Sequence, residues 1–143
     1  MDPNNPIVRL CVEGMRAEGE GRLEDAHTLF TQAWESSTDD LEACIAAHYL
    51  ARHQKSPEET LKWNQEALAR ADAIGDERVS NFYPSLYLNM GHSYELLGNA
   101  QEASRYYELA AESSADLPGG RYGETVRKGI EEGRKRAEAL DSD

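Results

Sequence analysis

Four histidines, two cysteines and a surplus of carboxylates are the groups of this chain that could do chemistry, and their spacing limits what they can do. His48 and His53 stand five residues apart, which on a helix places them on different sides, so the pair alone cannot chelate a metal. His27 and His92 have no evident ligand partners. The chain has no Cys-x-x-Cys and no His-Glu-x-x-His, and Gly14, Gly19 and Gly21 fall at helix-packing and turn spacing rather than in a phosphate-cradling loop. The expectation is a chain without enzymatic activity, metal or cofactor. Its histidines are read as structural or surface groups, and Cys11 and Cys44 as buried thiols behaving as small apolar side chains.

The elements that would carry these groups are helical. Asn4-Asn5-Pro6 opens a first helix over about 6–18, and Gly19-Glu20-Gly21 turns the chain into a second over about 22–36. Ser37 to Asp40 breaks and caps before a third helix over about 41–53. Ser56-Pro57-Glu58-Glu59 combines a capping hydroxyl, a proline in the first turn and two acids at the positive end of the macrodipole, so it opens a fourth helix that runs to Ile74. Asp76-Glu77 after Gly75 reads as the start of a fifth helix that Pro84 should kink; the alternative start, near Asn81, leaves Pro84 harmless in the first turn. Leu97-Gly98-Asn99 stops that helix and caps the next at Ala100, and Leu117-Pro118-Gly119-Gly120 is the break before a last helix over about 122–140.

Between Pro84 and Ala115 the packing residues come in an ordered series: Tyr87, Met90-Gly91 and Tyr94, then Ala103, Tyr107 and Ala110. Earlier stretches repeat it. Ala33, Ala67 and Ala110 align, as do Ala26, Thr60 and Ala103, and Phe30, Asn64 and Tyr107, with offsets of 34 and then 43 residues. Gly14, His48 and Gly91 share one place, so the second copy is the most altered. This series is similar to the tetratricopeptide repeat (TPR) pattern, in which small residues let two helices approach and aromatics fill the space beside them. The resemblance covers most of residues 7–117. It departs from the pattern in having no earlier counterpart of Tyr87, and Thr38, Asp72 and Ala115 where a closing proline is common.

The resemblance implies an all-α, right-handed superhelical array of antiparallel helical hairpins, about 6–37, 39–75 and 77–116, plus a C-terminal capping helix at about 121–140, in one domain. It further implies that the first helices of the hairpins line a concave groove for a peptide or helix. The lining falls on Val8, Cys11 and Met15, then Glu42, Ile45, Tyr49, Arg52 and His53, then Ser85, Leu88, Asn89 and His92. Of these, Met15, Ile45, Tyr49, Arg52, His53, Leu88, Asn89 and His92 are the expected peptide contacts. The TPR subclass that clamps acidic carboxyl termini does not fit, because Cys11 and Met15 occupy clamp places and only Asn89 matches. Trp34 and Trp63 are expected between hairpins.

Composition narrows the partners. With 27 acidic against 15 basic side chains, net −12, a polyanion-binding role is disfavoured and nucleic acid is not expected. The 39% hydrophobic and 29% charged content suits a folded helical chain of 143 residues. The start MDPNNPIVRL lacks a basic-then-apolar leader, and no apolar run reaches the ~20 residues of a membrane span. Together with two cysteines these point to the cytoplasm. All of the −12 lies on residues 1–120, since six bases balance six acids from Arg121 onward. The expected function is an interaction adaptor for an unidentified protein or peptide. The alternatives are a homodimerising structural module, and a ligand- or peptide-sensing domain serving a separate effector.

Overall fold

The computed structural model describes residues 2–117 and 119–141; Pro118, which the sequence places in the break before the last helix, lies outside them. Seven α-helices are formed among the described residues: α1 (Pro6–Gly19), α2 (Leu23–Ser36), α3 (Asp40–Leu50), α4 (Pro57–Ile74), α5 (Tyr83–Leu96), α6 (Ala100–Ser113) and α7 (Arg121–Asp141). Helices adjacent in sequence pack as pairs, α1 with α2, α3 with α4 and α5 with α6. The chain divides into two compact units, residues 1–74 and residues 75–143.

Local chemistry sets the helix ends. Asn5 Oδ1 accepts from the amides of Ile7 and Val8, at 2.8 and 3.2 Å, and its Nδ2 donates to Glu42 on α3 at 2.8 Å, so one side chain caps α1 and ties it to α3. Asp39, Ser56 and Asn99 accept from the amides of Glu42, Glu59 and Glu102 in the same way. Gly21 and Gly98 both end a first helix with φ of 78°, a left-handed conformation open to glycine. Lys55 takes that place in the second hairpin. There the chain leaves α3 through a 3-10 turn, Ala51–His53, and no non-glycine residue among those described has a positive φ.

The fifth helix corrects one expectation. It does not start at Glu77 and is not kinked by Pro84; it starts at Tyr83, after a 3-10 turn at Ser80–Phe82, with Pro84 in its first turn. Asp76 is spent on a tight turn instead, accepting from the Arg78 amide at 2.9 Å and, through its carbonyl, from the Val79 amide at 3.2 Å. A proline lacks the amide hydrogen that a helix interior requires, so the helix begins where that loss costs nothing.

Within the first unit, Phe30 of α2 lies against Gly14 of α1, where a β-carbon would overlap its ring. In the second unit Tyr107 of α6 lies against Gly91 of α5 and Gly133 of α7, with the same consequence at both glycines. Ala26, Ala33, Ala67, Ala103 and Ala110 are fully buried, so the residues that align along the sequence are those that close the helix pairs. The last helix completes its unit's core with Val126, Ile130 and Ala137, packed against Leu117, Ala103, Tyr107 and Ala110.

Candidate functional site

In the first unit, the carboxyl-terminal end of α1, the middle of α2, the end of α3 and the 3-10 turn Ala51–His53 bring five side chains into one cluster. Glu18 accepts from Arg52 Nη1 at 3.1 Å and lies 2.5 Å from His53 Nε2. Because a carboxylate only accepts, His53 donates through Nε2. The Arg52 guanidinium sits 4.8 Å above the Tyr49 ring, and Tyr49 stacks on Phe30 with centroids 5.1 Å apart and planes 13° from parallel. His53 stacks on the same ring at 6.0 Å. Phe30 thus transmits the close α1–α2 contact at Gly14 to the two aromatic groups of the next hairpin.

Burial sorts the expected contacts. Glu18 and His53 are mostly covered, with side chains 18% and 17% exposed, whereas Arg52 is 47% exposed. Met15 is exposed and Tyr49 half-buried, while Ile45 is 7% exposed and offers almost no surface to a ligand. Of the five expected contacts in this unit, the structure brings Tyr49, Arg52 and His53 together, leaves Met15 open on α1, and puts Ile45 in the core. Glu18 was not singled out from the sequence. The signal for it existed, since Glu18 and Arg52 are 34 residues apart and so hold the same place in the first two repeats.

His48 adjoins the cluster, its ring 5.2 Å from Tyr49. Burial, and then the positive charge of Arg52, push its imidazole down from 6.5 to about 4, with Glu18 opposing. His48 is therefore neutral at physiological pH. Cys11 and Cys44 are buried free thiols pushed by desolvation up to about 12 and about 11, which leaves them protonated and poor nucleophiles.

A surface pocket in the same unit is lined by Trp34, Ser37, Thr38, Asp39, Asp40, Ala43 and Arg70. Arg70 spans it, bonding Asp40 and Glu66 at 3.0 Å each and lying 5.3 Å from the Trp34 ring. Trp34 and Trp63 meet edge to face at 5.0 Å, joining the first hairpin to the second.

In the second unit Leu88 is half-buried and packs against the core formed with α7, where its Cδ2 would lie 3.2 Å from a β-carbon at Gly129. Asn89 is half-buried and its carbonyl accepts from Ser93 at 2.9 Å, while His92 is exposed. Tyr107 donates to Glu95 at 2.6 Å, and Arg136 of α7 donates to the other carboxylate oxygen at 2.8 Å. Burial alone would raise the Glu95 carboxyl; the bonds from Arg136 and Tyr107 outweigh it and hold the group below its ordinary value. Arg134 bonds Glu108 at 2.9 Å and Arg127 bonds the Leu117 carbonyl, so Arg127, Arg134 and Arg136 of the last helix are each bound within their own unit.

Among the described residues no group of three or more His, Cys, Asp or Glu could hold a metal ion, and no helix is long and apolar enough to cross a membrane. The chain matches no family model, no curated protein and no solved structure.

Proposed function

We propose that the chain is a tetratricopeptide-like array of helical hairpins acting in the cytoplasm as a non-enzymatic adaptor, and that the first unit holds a peptide or helix of a partner protein on the face of α1 and α3. The observation that carries this reading is the Glu18–Arg52–Tyr49 arrangement. An exposed guanidinium is held over a half-buried aromatic ring by a covered carboxylate, in the unit whose α1 also carries the exposed Met15. Such a surface offers apolar contact and a fixed hydrogen-bond donor with little side-chain freedom left to lose on binding.

The array itself is supported by the recurring glycine–aromatic contact, Gly14 with Phe30 and Gly91 with Tyr107, each sixteen residues apart. Self-association is favoured by a different observation, the order of charges along α1.

The test is selection of binders from a displayed random-peptide library, followed by amide-shift mapping of the bound peptide. The reading expects the largest shifts at Met15, Tyr49, Arg52 and His53. Shifts confined to residues 75–143, or a library that yields no binder, would contradict it.

A further inference from the structure

The outward face of α1 carries two parallel rows. Val8, Val12, Met15 and Gly19 follow one another at intervals of four, three and four, which stacks them along one side of a helix. Val12 is 47% and Met15 37% exposed, and Gly19 has open space where a β-carbon would stand. One position further along, at the same intervals, run Arg9, Glu13, Arg16 and Glu20, all exposed.

We infer that this face pairs antiparallel with α1 of a second copy of the chain. The seam closes in that orientation: Met15 covers Val12 of the second copy, and Val8 packs over Gly19 of the second copy, where the missing side chain admits it. In an antiparallel helix pair, rows on the same flank face one another. The order Arg, Glu, Arg, Glu then meets its own reverse, placing Arg9 beside Glu20 and Arg16 beside Glu13 of the second copy. In a parallel pair opposite flanks face one another, and the row that would meet Arg9 and Glu20 begins with Ile7, Cys11 and Gly14, buried within their own unit, so parallel pairing offers these charges no complement. The charge order is what selects a second copy over an unrelated apolar partner. No peptide is required for this dimer; Met15 belongs to both surfaces, so a bound peptide would compete with the second copy there, and Tyr49 and Arg52, which the seam does not use, separate the two readings.

A helix of 14 residues is about 21 Å long, so the seam is short and the dimer weak. Sedimentation equilibrium from about 10 μM to about 1 mM reads it directly. The wild type should show a concentration-dependent dimer that Met15→Glu abolishes. Arg9→Glu alone, or Glu20→Arg alone, places like charges opposite twice per dimer and should weaken association about tenfold or more. An equimolar mixture of those two variants should regain the wild-type constant, because each mismatched side chain then faces its complement. Tyr49→Ala should leave dimerisation unchanged while testing peptide binding separately. A wild type that stays monomeric, a dimer indifferent to Met15→Glu, or a mixture no tighter than its components would each overturn the inference, provided circular dichroism shows every variant helical.

Discussion

Glu18 and Arg52 hold the same place in two consecutive hairpins and meet at 3.1 Å, so the repeat spacing itself builds the ion pair that holds Arg52 beside Tyr49. The second unit repeats the device. Glu95 stands 43 residues beyond Arg52, and its partner Arg136 comes from the following helix, α7, at 2.8 Å.

The Tyr107–Glu95–Arg136 chain should be worth more through its buried member than its exposed one. Tyr107 is fully buried, whereas the Arg136 side chain is 47% exposed. Tyr107→Phe should lose about 1.5–2 kcal/mol of unfolding free energy, because it strips a hydrogen bond from a charged acceptor. Arg136→Gln should lose about 0.5 kcal/mol, since the solvent screens that pair. Urea titration of both variants checks the order.

Gly14 should not tolerate alanine. A methyl there meets the Phe30 ring, which is held from the other side by Tyr49 and His53, and overpacking of this kind costs about 1–3 kcal/mol. Phe30→Leu costs stability alone but should recover part of the Gly14→Ala loss in the double variant. A double-mutant cycle by chemical denaturation reads the coupling; additive losses would mean that the two side chains do not compete for one space.

Stability should fall on mild acidification. His48 titrates near 4 when folded and near 6.5 when unfolded. The unfolded chain therefore takes up the proton first, so the contribution of His48 is complete above 6.5 and disappears as pH drops toward 4. Glu95, lowered by its partners, acts at still lower pH: its contribution is present above the unfolded carboxyl value and is lost as pH falls through the folded one. Replacing His48 with Gln should flatten the stability–pH curve between about 6.5 and 4, and Glu95→Gln should flatten only the more acidic part. Thermal melts from about pH 2 to about pH 8 measure both.

Much of the fold could be read from residues that act locally. Asn5, Ser56 and Asn99 cap the helices they precede, and Gly21 and Gly98 adopt the left-handed turns that their spacing suggests. Pro84 was ambiguous because its cost depends only on where the helix begins, and Asp76 could equally cap a helix or make the turn it does make. Ile45 is buried, at 7% exposed, for a different reason. Residues 43–47 of α3 are all buried, because α1, α2 and α4 surround that helix, and its composition leaves no polar side to reveal the open face. Glu18 was invisible to any local pattern and is found only by superposing the repeats.

The thiols give an inexpensive check on the helix packing. Cys11 and Cys44 are 2% and 1% exposed and shifted well above ordinary thiol values. Both should resist a disulfide reagent at pH 8 in the folded protein and react within the unfolding transition as denaturant is added. Fast reaction of either thiol under native conditions would show that the α1–α2 or α3–α4 pair opens readily.

The most direct measurement for the proposed function is the affinity of one library-selected peptide for the wild type and for Arg52→Ala and Tyr49→Ala, by isothermal titration calorimetry. The account predicts a loss of about tenfold or more for each variant, on the order of 1.4 kcal/mol, with the helical content unchanged. Affinity equal to that of the wild type in both variants would contradict it, because the face assembled by Glu18, Arg52 and Tyr49 would then not be where the peptide lies.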